Sequence, residues 1–333
     1  MTIHQAQHEL IGNTPVVKIP SLSKLTGSHI YIKCESVNPG GSIKDRAAKQ
    51  IIEDAVAEGQ LKPGMTVVEG TAGNTGIGLS LVAKSMGMDA IAVMPKGQAI
   101  EKERMIELYG GQLKLVDAVP FANENHFYHT ARRMAEENPE KYFWANQFEN
   151  LSNFRAHYLH TGPEIYADFG ESLDYFVSVA GTGGTIAGNS AYLKEKIPHL
   201  KVHLIDPDGS GLFSYMKTGE FKSNAKTSFT EGIGIMRLVA NFAKAEVDEA
   251  FNLDDQYLYT VAKYVRDNDG IVLGTSSALN VTGAFHTALS SPKDSNILTF
   301  MCDLGERSYS KMHNQEFLNS REIDIERDIS FYM

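Results

Sequence analysis

Apolar positions along the chain follow two alternating rhythms. Short runs of aliphatic and β-branched residues give way to longer stretches with apolar residues three or four apart, and Gly or Pro marks the junctions. Such alternation predicts repeated strand-helix-strand units and parallel sheets flanked by helices, an α/β fold. Ile30–Lys33 reads as a strand and Asn38-Pro39-Gly40-Gly41 as a turn. A helix is expected from about Ser42, with Ala47, Ile51, Ile52 and Val56 on one face and Gly59 and Pro63-Gly64 stopping it. Strand Thr66–Glu69, loop Gly70–Thr75, helix Gly76–Met86 and strand Ala90–Met94 follow, then helix Ile100–Tyr109, strand Leu113–Val116 and a polar helix from about Ala122 to Asn138. A second block starts near Leu151 with a helix to Ala167, strand Tyr175–Val179, loop Gly181–Thr185, helix Ile186–Lys196 and strand Val202–Ile205. Between Asp206 and Asp254 the periodicity weakens and Gly, Ser and Lys accumulate, which suits a mobile wall of a cleft. Helix Leu253–Arg266, strand Ile271–Leu273, helix Ser277–Leu289 and strand Ile297–Met301 complete the core, and the charged tail from Asn314 is expected to be peripheral.

Composition narrows the function classes. With 333 residues, 42% of them hydrophobic, the chain can bury a sizeable core and is expected to form two domains. Its 41 acidic against 31 basic residues give a net charge of −10, which argues against a nucleic-acid or anionic-membrane partner held by bulk electrostatics. Two cysteines, Cys34 and Cys302, cannot build a disulfide framework, and no Cys/His cluster has zinc-ligand spacing, so no metal is expected. No apolar run is long enough to span a bilayer, and a cytoplasmic location is expected.

Three segments carry chemistry. Gly181-Thr182-Gly183-Gly184-Thr185 lies between a strand and a helix, where amides and the helix N-terminus converge outside the sheet edge; it reads as a phosphate cradle or as a merely tight turn. It is neither a dinucleotide fingerprint nor a P-loop, because Ile186 stands at the third glycine and the lysine is missing. Lys44, near a helix start, is either a solvated side chain or an amine whose neutral form the helix dipole favours, the form Schiff-base chemistry needs. Thr71-Ala72-Gly73-Asn74-Thr75-Gly76 offers small residues, a carboxamide and hydroxyls suited to a carboxylate.

Taken in order, Asn38-Pro39-Gly40-Gly41-Ser42-Ile43-Lys44-Asp45-Arg46, Glu69 to Gly76, Gly181 to Thr185, Glu231-Gly232-Ile233-Gly234 and Gly274-Thr275-Ser276-Ser277 resemble the motifs of the cysteine synthase and cystathionine β-synthase family. Ile11 to Pro15, the stretch Gln147-Phe148 through His157-Tyr158, Thr161 to Glu164 and Gly305-Glu306-Arg307 are similar too, so the resemblance spans about residues 10 to 312, closest to cysteine synthase. It implies fold type II of the pyridoxal-phosphate (PLP) enzymes, two α/β domains like the tryptophan synthase β subunit: residues 45–150 as a smaller mobile domain, 1–44 with 151–315 as the larger PLP-binding one, and 316–333 as a tail. It also implies that Lys44 forms the internal aldimine and later moves the Cα proton, that Gly181, Thr182, Gly183, Gly184 and Thr185 bind the cofactor phosphate, and that Asn74 bonds the cofactor hydroxyl. Ser276 would face the pyridine nitrogen, its other reading being a helix cap. Thr71, Ala72, Gly73, Thr75, Gln147 and Gly232 would meet the substrate.

The implied reaction is β-replacement on an activated serine such as O-acetylserine by sulfide or a thiol, giving cysteine or a relative. Net β-elimination, or a non-catalytic PLP-binding regulatory role, are the alternatives. A homodimer and a serine acetyltransferase partner are family expectations. Two departures stand out: Gly70 and Ala72 replace the common Pro and Ser of the carboxylate loop, removing one hydroxyl, and Ile235-Met236-Arg237-Leu238 replaces a Gly-Phe-Ile-Pro-like run in the cleft wall. Neither tandem regulatory domains nor a haem-binding extension is expected.

Overall fold

Ten strands among the described residues, 3–333, form two sheets in this computed structural model. The smaller sheet, in order β5-β4-β3-β6 and parallel throughout, comprises β3 (Thr66–Gly70), β4 (Asp89–Pro95), β5 (Gln112–Val116) and β6 (Tyr142–Trp144). The larger, in order β1-β2-β10-β7-β8-β9, comprises β1 (Val16–Lys18), β2 (His29–Cys34), β7 (Tyr175–Val179), β8 (Lys201–Pro207), β9 (Glu249–Leu253) and β10 (Asn296–Met301). Its strands are parallel except β1, which runs against β2.

Helices cover both sheets, as parallel strands buried on both faces require. In the N-terminal half these are α1 (Pro20–Thr26), α2 (Lys44–Ala57), α3 (Asn74–Ser85), α4 (Ile100–Leu108) and α5 (Phe127–Glu137). Then come α6 (Ser152–Ala156), α7 (Gly162–Phe169), α8 (Gly184–Lys196), α9 (Leu212–Thr218), α10 (Asp255–Asp269), α11 (Thr275–Ser290), α12 (Tyr309–Met312) and α13 (Gln315–Ser320). Ala48, Ile51 and Ile52 of α2 pack with Leu79 and Val82 of α3 over Val67 and Ala90 of the smaller sheet. The larger sheet buries Ile186 and Leu193 of α8 with Phe176, Leu204 and Phe300 on one face, and Val261, Val281 and Phe285 of α10 and α11 on the other.

The parallel α/β architecture is the one the alternating rhythm predicts. Four local expectations are corrected. The helix expected from Ala122 begins at Phe127, because Asn123 and Pro120 close turns ahead of it and the His126 ring accepts a bond from Tyr128 N (3.3 Å) as its cap. The segment Ile271–Leu273 is not a strand; it makes one antiparallel bridge, Leu273 to Leu304. The helix expected over Leu151–Ala167 is interrupted by a π-helical turn, His157–Thr161. Finally, the weakly periodic stretch holds α9 and ends in the edge strand β9, while β1, α1 and β6 are elements too short for periodicity to reveal. The tail after 316 adds no strand, yet Leu318, Ile323 and Ile329 are buried in the larger core and Tyr332 stacks on Tyr257 at 3.9 Å.

Candidate active site

A cavity of about 240 Å³ lies between the two sheets, at the point where α2, α3, α8 and α11 begin. Each of these N-termini turns the positive end of a helix dipole to the cavity, and although the first N–H groups of α2 are already taken by Ser42 and Ile43, the cavity favours anions before any side chain is counted. The sequence-based boundaries placed three of these starts two residues late: α3 begins at Asn74, α8 at Gly184 and α11 at Thr275, so the chemistry-bearing residues belong to first turns as well as to loops.

Lys44 is the first residue of α2 and lines the cavity. The exposure it keeps is to that cavity, and removal from bulk water is the main reason its pKa lies below the ordinary lysine value; Cys302 and Asp303 oppose the shift and Lys102 adds to it. The expected carboxylate loop lies opposite. Gly73, at φ +140°, is a conformation other residues rarely adopt, and its N–H donates to Thr71 Oγ1 at 3.0 Å. Thr75 Oγ1 donates to Gln147 Oε1 at 2.6 Å, and Gln147 Nε2 donates to the Gly70 carbonyl at 2.9 Å. Thr71, Ala72, Gly73, Asn74, Thr75 and Gln147 all line the cavity.

On the other wall, Gly181, Thr182, Gly183 and Thr185 line the cavity, whereas Gly184 sits behind them against Asn153. A Cβ on Gly181 would overlap the carbonyl oxygen of Gly232, itself at φ +74° and part of the lining; one on Gly183 would lie 2.5 Å from Phe242 Cα. Asn153 Nδ2 donates to Thr182 Oγ1 (2.8 Å), and His157 Nε2 pairs with Thr185 Oγ1 (3.2 Å). The π-helical turn begins at His157, whose other ring nitrogen meets Thr161 Oγ1 at 3.0 Å; burial, helped by Arg46 and Lys44, keeps this imidazole neutral.

Ser276 also faces the cavity, and it is not the cap of its helix: Gly274 holds that position without a side-chain bond. Its neighbours are occupied, Thr275 Oγ1 by Glu231 N (3.3 Å) and Ser277 Oγ by the Asp303 carbonyl (2.6 Å), so of the three hydroxyls Ser276 has the cavity in front of it. Asn74 donates through Nδ2 to Asp303 Oδ2 at 2.7 Å, while its Oδ1 is buried with no partner, a polar atom aimed at something still to be bound. A buried neutral-prone amine, a glycine-rich anion cradle carrying two threonine hydroxyls, an orphaned carboxamide oxygen and a serine hydroxyl facing the cavity beside Cys302 are the groups that an aldehyde-bearing pyridine phosphate requires.

Lys102 and Asp303 were not singled out from sequence, and Asn153 and His157 entered only within a family-like stretch, with no role given. The i, i+4 spacing of Asn153 and His157 puts both on one helix face, and the structure turns that face to the glycine loop. Lys102 and Asp303 act through contacts between distant segments, which periodicity does not report.

Residues 8–303 match the family model described as pyridoxal-phosphate dependent enzyme. The chain is 42% identical over 326 residues to the cysteine synthase of Dictyostelium discoideum, covering 95% of this chain and 86% of the relative. It is 41% identical over 334 residues to cysteine synthase 2 of Schizosaccharomyces pombe, covering 94% and 85%. A crystal structure of cysteine synthase from Entamoeba histolytica superposes with a TM-score of 0.83 at 31% identity over 93% of this chain and 90% of that one. The chain belongs to the pyridoxal-phosphate-dependent enzymes and, among them, to the cysteine synthase family. Its cofactor is pyridoxal phosphate.

Proposed function

We propose that this protein makes L-cysteine by β-replacement: O-acetylserine loses acetate from its β-carbon and sulfide adds there. The observation that carries this reading is the convergence of Lys44, the Gly181–Thr185 cradle and the Thr71–Thr75 loop on one cavity. When bound, pyridoxal phosphate supplies the electron sink that acidifies the amino acid's α-carbon.

The chain's own residues then divide the work. The amides and hydroxyls of Gly181 to Thr185 hold the phosphate, with Asn153 and His157 fixing the two threonine side chains. Asn74 Oδ1 and Ser276 orient the ring by bonding its hydroxyl and its nitrogen. Thr71, Gly73, Thr75 and Gln147 take the substrate carboxylate at the start of α3, where the dipole favours it. Lys44, held towards its neutral form by burial, takes the proton from Cα and returns it after sulfide has added at Cβ. Ser276 would offer the ring nitrogen a neutral hydroxyl and not a charged partner, which would suit departure of acetate over side reactions. The smaller sheet with its helices, residues 45–150, is the body that moves over the amino acid, and 1–44 with 151–315 is the body that holds the cofactor. The same reading carries a homodimer, a cytoplasmic location and docking of a serine acetyltransferase tail, open to sedimentation, cell fractionation and co-purification.

The test is product analysis of the PLP-loaded protein with O-acetylserine and sulfide. Cysteine formation at one equivalent per acetate released is expected, and it should vanish in Lys44→Ala. Pyruvate and ammonia with sulfide present would assign β-elimination instead, and no product with a normally bound chromophore would favour the regulatory role.

A further inference from the structure

The buried charges of Lys102 and Glu231, with the half-buried Lys311 beside them, are not used by the reaction as described above, yet the first two line its cavity. Lys102 lies on α4 beside the smaller sheet; its Nζ is 2.5 Å from Glu231 Oε2, and the two side chains are 4% exposed. Glu231 Oε1 accepts from Ala99 N at 3.0 Å and lies 2.6 Å from Lys311 Nζ on α12. A second strap runs parallel: Glu101 accepts from Ser310 N (3.1 Å) and Ser310 Oγ (2.9 Å). Both straps join α4 to the segments that pack with the larger sheet.

Each end of the first strap is fixed to a functional loop. The aliphatic stem of Lys102 packs on Gly73, where a Cβ would come within 2.5 Å of Lys102 Cδ, so the bare glycine is what admits the lysine. At the other end Glu231 N donates to Thr275 Oγ1, next to Ser276, and the following carbonyl, that of Gly232, presses on Gly181. A buried ion pair is strong only at contact, because separation exposes both charges to incomplete solvation. Its energy therefore depends steeply on how far apart the two walls of the cleft stand.

We infer that Lys102 and Glu231 form a cross-cleft tie that positions the Thr71–Thr75 loop for the substrate carboxylate. This inference rests on the proposed role of that loop. Lys102 and Glu231 are positioning residues, and Lys311, which reaches Glu231 from the same side of the cleft, is a buttress. The arrangement makes the two lysines unequal although both contact the same carboxylate. Removing the Lys102 charge removes the charged link, leaving across the cleft only the neutral bond from Ala99 N and the Glu101–Ser310 strap, with Glu231 and Lys311 as a balanced pair; removing the Lys311 charge leaves the charged link intact.

The test compares Lys102→Met, which keeps the stem on Gly73, with Lys311→Met in the PLP-loaded enzyme. In Lys102→Met, KM for O-acetylserine should rise about tenfold while kcat changes by less than about threefold, the split expected when binding geometry and not chemistry is lost. Cofactor content and chromophore absorbance without substrate should stay at wild-type values. Lys311→Met should move KM by less than about threefold. A titration of the product L-cysteine against the chromophore absorbance reads the same loss as a weaker Kd, without turnover, so the tie is judged even if the wild type makes no cysteine and the functional reading fails. An unchanged Kd and KM in Lys102→Met, equal changes in both variants, or loss of cofactor in Lys102→Met would each overturn the inference.

Discussion

Two loops of the same construction, each leading from a parallel strand into a helix, meet across the cavity, and they are held by different means. Gly181–Thr185 is locked against backbone: Gly232 and Phe242 leave no room for a Cβ, and Asn153 and His157 fix its hydroxyls. Thr71–Thr75 has one backbone anchor at its start, Thr71 N donating to the Val93 carbonyl at 2.9 Å, and beyond it is held by side chains, Gln147 through Thr75 and Lys102 through Gly73, which can yield where backbone cannot. The difference matches what each loop binds. A resident phosphate is served by a cradle formed in advance, whereas an amino acid that comes and goes is served by a loop with adjustable supports.

The largest effect that separates them is expected from Gly181→Ala. Its methyl meets a backbone carbonyl with nothing flexible to move, and overpacking of this kind costs about 1–3 kcal/mol or more. Cofactor affinity, followed by chromophore absorbance on dialysis, should fall about tenfold to a hundredfold. Next comes the substrate loop. Thr75→Val keeps the shape and removes the donor to Gln147, so KM for O-acetylserine should rise about tenfold with cofactor retention unchanged. If Thr75→Val lost cofactor as readily as Gly181→Ala, the division of labour between the loops would be wrong.

A smaller effect distinguishes the loops by pH. Glu69 lies at the foot of the substrate loop, its pKa raised to about 8 by burial and only partly opposed by bonds from Gln147. Its folded value lies above the ordinary 4.5, so its contribution to stability is complete below that pH and is lost as pH rises towards 8. His157, at the cradle, has the opposite sign: burial holds it below 6.5, so its contribution is lost as pH falls below that value. Glu69→Gln should therefore flatten the alkaline side of the Tm profile, raising Tm at pH 8 by about 2–4 °C, and leave the acid side alone. The smallest expected change is in Ser276→Ala, a kcat loss of about threefold with a shifted chromophore band, because a neutral hydroxyl contributes one modest hydrogen bond.

What sequence could tell follows the same divide. The cradle was legible because its requirements are local: glycines between a strand and a helix, with threonines among them, state a backbone geometry within five residues. The fold was legible for the same reason, since β3, β4, β7, β8 and the helices between them each carry their own periodicity. Thr71–Thr75 was readable as a loop, but its supports were not. Gln147 and Lys102 reach it from other elements, and the burial of Glu69 beneath it depends on packing of the whole smaller sheet. The short strands β1 and β6, of three residues each, are likewise set by the neighbours they pair with and not by their own pattern.

The central claim, that one cavity places Lys44 between a cofactor cradle and a substrate loop, is tested most directly by reducing the PLP-loaded protein with borohydride and mapping the pyridoxyl group by peptide mass spectrometry. The expected result is stoichiometric labelling of the peptide containing Lys44, and its absence in Gly181→Ala protein after dialysis. Labelling of another lysine such as Lys102, or no label on a protein that has bound the cofactor, would contradict it.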